Sequence, residues 1–123
     1  AIHYNISQSG ESVVCVLADE EVGIDVQIHK KVNYERMLER MVTDEKRREI
    51  LAGPDVEKEF FKQWVLWEAY IKWTGEGLSR NLRNISMEEG TCMLLDMEEG
   101  YSGALWTMNP IEICWKFEDV MLG

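Results

Sequence analysis

The sequence is poor in basic residues, in histidine and in cysteine, and each shortage excludes a class of protein. It has 13 lysines and arginines against 23 aspartates and glutamates, so its formal net charge at neutral pH is −10. Nucleic acids and anionic membrane surfaces are bound through clustered basic side chains, so neither is an expected partner. Both histidines, His3 and His29, stand apart from any cysteine or acidic residue at a metal-ligand spacing.

The three cysteines, Cys15, Cys92 and Cys114, lie far apart in the sequence and among apolar neighbours. This pattern indicates neither a disulfide framework nor a zinc site, and we predict buried free thiols in a reducing compartment. No apolar run approaches the length of a bilayer span, and the first residues do not resemble a signal peptide. We therefore expect a cytoplasmic protein without a membrane segment.

Length and composition indicate one packed domain over residues 1–123. The chain is 46% hydrophobic and 29% charged, which suits a single globular core. Apolar runs predict strands at residues 3–6, Ser12–Ala18 and residues 22–26. Helical periodicity then begins at Asn33, and Thr43 and Asp55 are predicted caps of a second and a longer third helix.

The remainder of the chain returns to strand patterns. The tetrapeptide Met-Glu-Glu-Gly occurs at residues 87–90 and again at residues 97–100, on either side of a predicted strand at residues 91–96. These repeats predict turns between hairpins, and residues 111–117 predict the last strand. Strands, helices and strands in succession give an α+β fold, with an antiparallel sheet packed against helices.

Charge is unevenly distributed along the chain. Residues 29–48 contain seven basic and four acidic residues, a net of +3, so the remaining residues carry −13. A solvated amphipathic helix explains most of these side chains. The alternative is a local docking surface for an acidic partner.

Two carboxylates occur where apolar residues are expected. Asp25 lies within a predicted strand beside Gly23, a pairing that suggests close approach by another group. Glu68 lies within the apolar stripe of the long helix, one turn before Lys72. A Glu68–Lys72 helix pair is the simpler explanation, and spacing alone favours it. The alternative is that Asp25 and Glu68 share a divalent cation such as Mg²⁺.

Four short motifs occur in order between residues 5 and 79. They are Asn5-Ile6-Ser7-Gln8-Ser9-Gly10, Gly23-Ile24-Asp25-Val26-Gln27, Trp64-Val65-Leu66-Trp67-Glu68-Ala69-Tyr70-Ile71-Lys72 and Gly75-Glu76-Gly77-Leu78-Ser79. The series resembles the motifs N-I-S-H-S-G, G-I-D-x-E, W-x-x-K-E-A-x-x-K and G-x-G-L-S of the surfactin-type 4'-phosphopantetheinyl transferases. Each motif alone is weak, and their order and distances carry the resemblance.

The resemblance implies a phosphopantetheinyl transferase-like half-domain and a specific reaction. In that reaction, the 4'-phosphopantetheine group of coenzyme A passes to a serine of an apo acyl or peptidyl carrier protein, with Mg²⁺ as cofactor. The resemblance implies that Asp25, Gln27 and Glu68 are the metal ligands and that Glu68 and Lys72 are catalytic. It also implies that coenzyme A is contacted by Ser7, Gln8, Ser9 and Lys72.

Three positions depart from the family pattern. Gln8 replaces a histidine, Gln27 replaces an acid, and Trp67 replaces a lysine. All three changes weaken phosphate or metal binding. Two alternatives to an enzyme follow: a non-catalytic module that binds coenzyme A or a carrier protein, and a chain that retains only the fold.

The resemblance also bears on partners. Family members of this type consist of two similar halves with the active site between them, while a smaller class works as a trimer. We therefore expect a homo-oligomer or a fragment of a two-half protein. The tryptophans are expected in the core or at an interface, and Trp67 and Trp73, which lie off the main apolar stripe of the long helix, are candidates to cover the adjoining surface. Carrier proteins are acidic, so the candidate docking residues are Lys30, Lys31, Arg36, Arg40 and Arg47.

Overall fold

The computed structural model describes residues 2–75 and 87–115, and its elements confirm the α+β fold. In chain order they are β1 (His3–Ser9), β2 (Ser12–Ala18), β3 (Val22–Ile28), α1 (Tyr34–Met41), α2 (Asp44–Ala52), α3 (Val56–Thr74), β4 (Thr91–Leu94) and β5 (Tyr101–Thr107). Within these described ranges, no helix is both long enough and apolar enough to cross a membrane.

The strands form two antiparallel groups. Strands β1 and β2 make a hairpin in which His3 lies opposite Ala18, and Gly10 occupies the turn with a φ of 59°. The other three strands form a sheet in the order β3-β5-β4, so β5 is the central strand. Both predicted Met-Glu-Glu-Gly turns end on a glycine in the left-handed region, Gly90 and Gly100, as tight turns require.

The helices begin where the sequence predicts. The side chains of Asn33, Thr43 and Asp55 each accept a hydrogen bond from the backbone N–H three residues further on, at 3.0–3.3 Å. These caps satisfy donors that the first helical turn leaves without a partner. Helix α3 ends at Gly75, whose φ of 76° is left-handed.

The three-stranded sheet lies between two apolar layers. On one side α3 packs on β5, through Val65, Ala69, Tyr70, Ala104 and Trp106. On the other side Val22, Ile24 and Leu105 contact the inner side of the hairpin and residues 111–113. Helices α1 and α2 cover the first half of α3, around Leu38, Met41, Ile50, Phe60 and Phe61. Helix α3 therefore has buried side chains on several sides.

Gly23 brings the backbone of β3 against the backbone of α3. A Cβ atom at this position would overlap the carbonyl oxygen of Ala69 and lie 2.6 Å from the backbone nitrogen of Trp73. The sequence suggests that another group approaches this strand, and in the structure the approaching group is helix α3. Strand β3, which carries Asp25, and helix α3, which carries Glu68, are therefore in backbone contact.

The predicted strand at residues 111–117 is wrong for the part that the structure describes. Residues 111–115 form no strand, and residues 116 and 117 lie outside the described residues. Ile111 and Ile113 do pack against the sheet, so their alternation reflects burial without a strand partner. The last described strand is β5. It contains the weak strand formers Ser102, Gly103 and Ala104, and it pairs with β3 on one side and β4 on the other.

The predicted burial of the cysteines is also wrong, because Cys15, Cys92 and Cys114 are all exposed. Cys15 lies on β2, where the residues on either side of it face the sheet and Cys15 faces away. The prediction for Trp67 fails in the opposite sense, since Trp67 is only 4% exposed. Trp73 is half-buried and contacts the Tyr70 ring at 5.8 Å. Trp67 therefore forms no open surface, whereas Trp73 leaves part of its side chain exposed.

Gly23→Ala is expected to destabilise the protein by about 3 kcal/mol or more, because backbone atoms of α3 cannot move aside as a side chain would. Urea unfolding followed by circular dichroism measures this change. Gly53→Ala is the matched control, since φ is −76° and a Cβ would lie 3.3 Å from the nearest atom. Equal stability losses for the two variants would contradict the backbone contact.

Candidate active site

Strands β1 and β3 lie side by side and are joined by side chains of β1. Three hydrogen bonds of 2.9 Å run from the backbone N–H of Ile24 to Asn5 Oδ1, of Val26 to Ser7 Oγ, and of Ile28 to Ser9 Oγ. Each pair is 19 residues apart, so the two strands run in the same direction. We call this contact the β1–β3 seam. It explains the alternating polar residues of the first motif as acceptors for a buried strand edge.

Lys72 closes the β1–β3 seam from helix α3. Its Nζ donates to the carbonyl oxygens of Ile24 at 2.9 Å and Ile6 at 3.4 Å, and lies 3.6 Å from Asp25 Oδ1. In the described part of the chain, Lys72 pairs with Asp25 and not with Glu68, so the helix pair favoured by spacing is not formed. The backbone carbonyls and the buried carboxylate of Asp25 bind the Lys72 ammonium more strongly than the half-exposed carboxylate of Glu68 would.

Asp25 is the buried acid of the site. It lies on the side of β3 that faces α3 and is 8% exposed. Its Oδ1 accepts a hydrogen bond from Ser7 Oγ at 3.3 Å, whereas its Oδ2 is buried without a hydrogen-bond partner among the described residues. A buried carboxylate oxygen without a partner is unfavourable, and a bound cation is one way to satisfy it.

Burial raises the pKa of Asp25 to about 7. The ammonium of Lys72 opposes this shift, while the nearby carboxylate of Glu68 adds to it. Burial likewise raises the pKa of Glu68, again opposed by Lys72. Two partly desolvated carboxyl groups with raised pKa values therefore interact with one ammonium, an arrangement that is frequent at functional sites.

The other predicted ligand, Gln27, lies two residues beyond Asp25 and on the same face of β3. Its amide nitrogen donates to the carbonyl of Ile28 at 3.0 Å. Within residues 2–75 and 87–115, no group of three or more histidine, cysteine, aspartate or glutamate side chains is placed to hold a metal. The residues nevertheless fit Mg²⁺, which is commonly held by one or two carboxylates together with water and substrate phosphates.

The predicted coenzyme A contacts are divided between two faces of the hairpin. Ser7 and Ser9 face β3 and accept its N–H groups, whereas Gln8 is exposed on the opposite face. In the turn, the N–H of Glu11 donates to the Tyr101 hydroxyl at 3.3 Å. The fourth motif lies outside the described residues beyond Gly75. The structure thus places Ser7 and Lys72 beside Asp25, and Gln8 away from it.

Asn5 and Ser7 act on the site in a way that the sequence did not reveal. Ser7 donates a hydrogen bond to Asp25 and accepts one from the backbone N–H of Val26. Asn5 accepts one from the N–H of Ile24, two residues earlier on β3. The available signal was the alternation of polar residues along β1. From the sequence alone this alternation indicates a phosphate-binding turn, although the edge of a strand needs the same hydrogen-bond acceptors.

Comparisons with known proteins agree with this geometry. The family model of the 4'-phosphopantetheinyl transferase superfamily matches residues 21–120. The chain is 34% identical over 117 residues to 4'-phosphopantetheinyl transferase psf-1 of Bacillus pumilus, covering 89% of the chain and 50% of that protein. It is 32% identical over 87 residues to 4'-phosphopantetheinyl transferase Sfp of Bacillus subtilis (strain 168), covering 69% and 38% respectively.

A more distant similarity extends over nearly the whole chain. L-aminoadipate-semialdehyde dehydrogenase-phosphopantetheinyl transferase of Xenopus laevis is 25% identical over 133 residues, covering 98% of the chain and 43% of that protein. The chain spans half the length, or less, of these three curated relatives.

Asp25→Asn is expected to stabilise the metal-free protein relative to wild type as the pH rises from about 4 to about 7, by up to about 4 kcal/mol. In this window the folded Asp25 carboxyl keeps a proton that the unfolded chain has already lost. Raising the pH therefore favours the unfolded wild-type chain, and an amide lacks this dependence.

Urea unfolding in EDTA at about pH 4 and about pH 8 measures this difference. Asp19→Asn, in an exposed turn, controls for the loss of one negative charge. A stability difference between wild type and Asp25→Asn that is the same at both pH values would contradict the raised pKa.

Proposed function

Because the chain belongs to the 4'-phosphopantetheinyl transferase superfamily, we propose that it transfers the 4'-phosphopantetheine group from coenzyme A to a serine of an apo acyl or peptidyl carrier protein. The observation that carries the proposal is the buried Oδ2 of Asp25, which has no hydrogen-bond partner among the described residues and lies in a site that also contains Glu68 and Lys72. We propose that residues 1–123 act as a single domain. Three exposed, unpaired cysteines favour a reducing cytoplasm.

In the proposed reaction, the serine oxygen of the carrier bonds to the phosphorus that bears the pantetheine arm. The bond between that phosphorus and the bridging oxygen breaks, and 3',5'-ADP leaves with the electron pair. Glu68 accepts the serine proton, directly or through a water. A raised pKa suits this role, because a base works best when its pKa is near the operating pH.

Asp25, Glu68 and the amide oxygen of Gln27 are the proposed ligands of Mg²⁺. When bound, the ion neutralises charge that develops on the pyrophosphate oxygens. Asp25 presents its carboxylate from a rigid strand, held by Ser7 on one oxygen. The nitrogen of the Gln27 amide, and not its oxygen, is engaged by Ile28.

Lys72 and the first motif are the proposed phosphate contacts. The Lys72 side chain is 30% exposed, so its ammonium is accessible from the site while it remains bound to β3. A hydroxyl that accepts an N–H still has its own proton to donate. Ser9 fits such a contact, while Ser7 uses its proton toward Asp25. Gln8 lies on the opposite, exposed face of the hairpin, so any contact that it makes with coenzyme A is away from Asp25.

The proposed docking surface for an acidic carrier protein lies on and before α1. Lys30, Lys31, Arg36 and Arg40 are exposed, and the two arginines are four residues apart on the same helix. Arg47 lies 3.2 Å from Glu39 and 3.6 Å from Asp44, so its charge is largely used within the chain. Docking is therefore expected to depend more on Arg36 and Arg40 than on Arg47.

A second candidate is a module that binds coenzyme A or a carrier protein without turnover. Trp67 favours this alternative. It stands where the family pattern has a lysine, and it is buried beside Trp64, with ring centroids 6.0 Å apart. The site therefore has one cation fewer for a pyrophosphate than the family pattern supplies.

The transfer reaction is tested by mixing the chain with coenzyme A, Mg²⁺ and a panel of apo carrier proteins. The expected result is a carrier mass increase equal to one phosphopantetheine group, lost on addition of EDTA. Asp25→Asn and Glu68→Gln are each expected to lower the rate by about 100-fold or more. Glu49→Gln, on an exposed part of α2, is the matched control.

No mass gain with any carrier would contradict the enzyme and favour the binding module. Calorimetry with coenzyme A then separates the remaining possibilities. Binding that persists in EDTA and in the Asp25→Asn and Glu68→Gln variants would contradict the metal site. If neither coenzyme A nor a carrier protein binds, the remaining hypothesis is a chain that retains the family's fold without its ligands.

Arg36→Glu combined with Arg40→Glu is expected to raise the KM for the carrier protein at least about tenfold and to leave kcat nearly unchanged, because charge reversal weakens the encounter. The loss should shrink as salt is added. Lys58→Glu, exposed at the start of α3, is the control. An unchanged KM in the double variant would place the docking surface elsewhere.

A further inference from the structure

The side chain of Tyr101, the first residue of β5, reaches across to the turn of the β1–β2 hairpin. The backbone N–H of Glu11 donates a hydrogen bond to the Tyr101 hydroxyl at 3.3 Å. The same hydroxyl packs against the preceding residue of the turn, because a Cβ atom added at Gly10 would lie 2.7 Å from its oxygen. Glu11 and Tyr101 are 90 residues apart in the sequence, so this contact joins the hairpin turn to a distant strand.

The β1–β3 seam holds the same turn from its other side. Ser9 Oγ accepts the N–H of Ile28 at 2.9 Å, and Ile28 Cδ1 would lie 3.0 Å from a Cβ atom added at Gly10. Ile28 and Tyr101 are themselves cross-strand partners in the pairing of β3 with β5. The turn therefore rests on one pair of neighbouring side chains. Gly10 provides both the left-handed φ of 59° and the space that this close approach requires.

Tyr101 also relates the turn to the candidate metal ligand Asp25. A two-stranded hairpin is marginally stable by itself, whereas β5 is the central strand of its sheet and has a partner on each side. On that strand Ala104, three residues after Tyr101, lies opposite Asp25. The Tyr101 hydroxyl thus anchors the turn to the strand that pairs with β3. The separation between the turn and Asp25 is set by this anchor together with the β1–β3 seam.

This separation matters for a ligand that meets both places. In the proposed function, Ser9 contacts a phosphate of coenzyme A, and Asp25 holds the Mg²⁺ that neutralises charge on its pyrophosphate. Because one coenzyme A molecule carries all of these phosphates, its affinity depends on the distance between the two contacts. Ser9 accepts the Ile28 N–H with its oxygen and keeps its own proton to donate. A turn that is already held in place spares the ligand the cost of ordering it on binding.

We propose that Tyr101 is a positioning residue for coenzyme A, and that its hydroxyl holds the hairpin turn so that the Ser9 hydroxyl meets a phosphate. Tyr101 acts through Ser9 and supplies no phosphate contact of its own. The inference rests on the proposed function, because it assigns a role toward the coenzyme A of that reaction. It adds a residue of β5 to a site whose four sequence motifs all lie within residues 5–79.

A double-mutant cycle tests whether Tyr101 acts through Ser9. Calorimetry with coenzyme A and Mg²⁺ gives the Kd of wild type, Tyr101→Phe, Ser9→Ala and the double variant. Tyr101→Phe removes only the hydroxyl and should raise the Kd about tenfold. In the Ser9→Ala background the same change should alter the Kd less than about twofold, since the turn then has no hydroxyl to position. Tyr4→Phe, at a 69% exposed tyrosine of the same hairpin, is the matched control and should bind as wild type does.

Two outcomes would overturn the proposal: a Kd that Tyr101→Phe leaves unchanged, and a rise of equal size with and without the Ser9 hydroxyl. Urea unfolding of the four proteins shows whether stability changes alongside affinity. A less stable Tyr101→Phe protein with the wild-type Kd would assign Tyr101 a purely structural role. If wild type itself binds no coenzyme A, the proposed function is contradicted and this inference with it. If wild type and Tyr101→Phe bind equally well, only the positioning role is contradicted.

Discussion

Strands β1 and β3 run in the same direction with no backbone ladder between them, and side chains close the gap. Asn5, Ser7 and Ser9 accept the N–H groups along one edge of β3, and Lys72 binds carbonyls of both strands. The β1–β3 seam attaches the hairpin to the sheet. In it Asn5, Ser7 and Ser9 face β3, whereas Gln8 faces away from it.

The same seam determines the environment of the candidate site. Ser7 binds both the β3 backbone and Asp25, and Lys72 binds both the seam and the same carboxylate. Asp25 is therefore positioned by groups that also hold the fold together. A change at Ser7 or Lys72 alters stability and site chemistry at once, so its effect on activity needs a measurement of folding beside it.

Local signals in the sequence predicted much of the fold. Asn33, Thr43 and Asp55 act through the N–H groups three residues away, so capping can be inferred without the tertiary structure. The acids were found because Asp25 and Glu68 interrupt apolar patterns. The partner of Lys72 could not be predicted, since Ile6 and Asp25 are 66 and 47 residues away in sequence. The sequence does not predict strand β5, because Ser102-Gly103-Ala104 at its centre have low strand propensity, although β3 and β4 pair with it on both sides.

The exposed cysteines and buried Trp67 show a related limit. Apolar neighbours predict that a residue lies in a strand, but they do not say which face of the strand is covered. Cys15 lies on the face that the sheet does not cover. Trp67 lies on a helix that α1 and α2 cover along its first half and the sheet covers along its second, so residues off the main apolar stripe are also buried.

The burial of Trp67 limits which side chains this position can carry. In the family pattern this position carries a lysine next to the helix glutamate, and here the indole fills space that is 96% closed to solvent. A lysine placed there alone would leave a cavity and a charge inside the helix layer. The neighbouring aromatic residues, among them Trp64, would have to change with it. A lysine at position 67 is therefore expected to fit only together with changes in the aromatic residues packed around it.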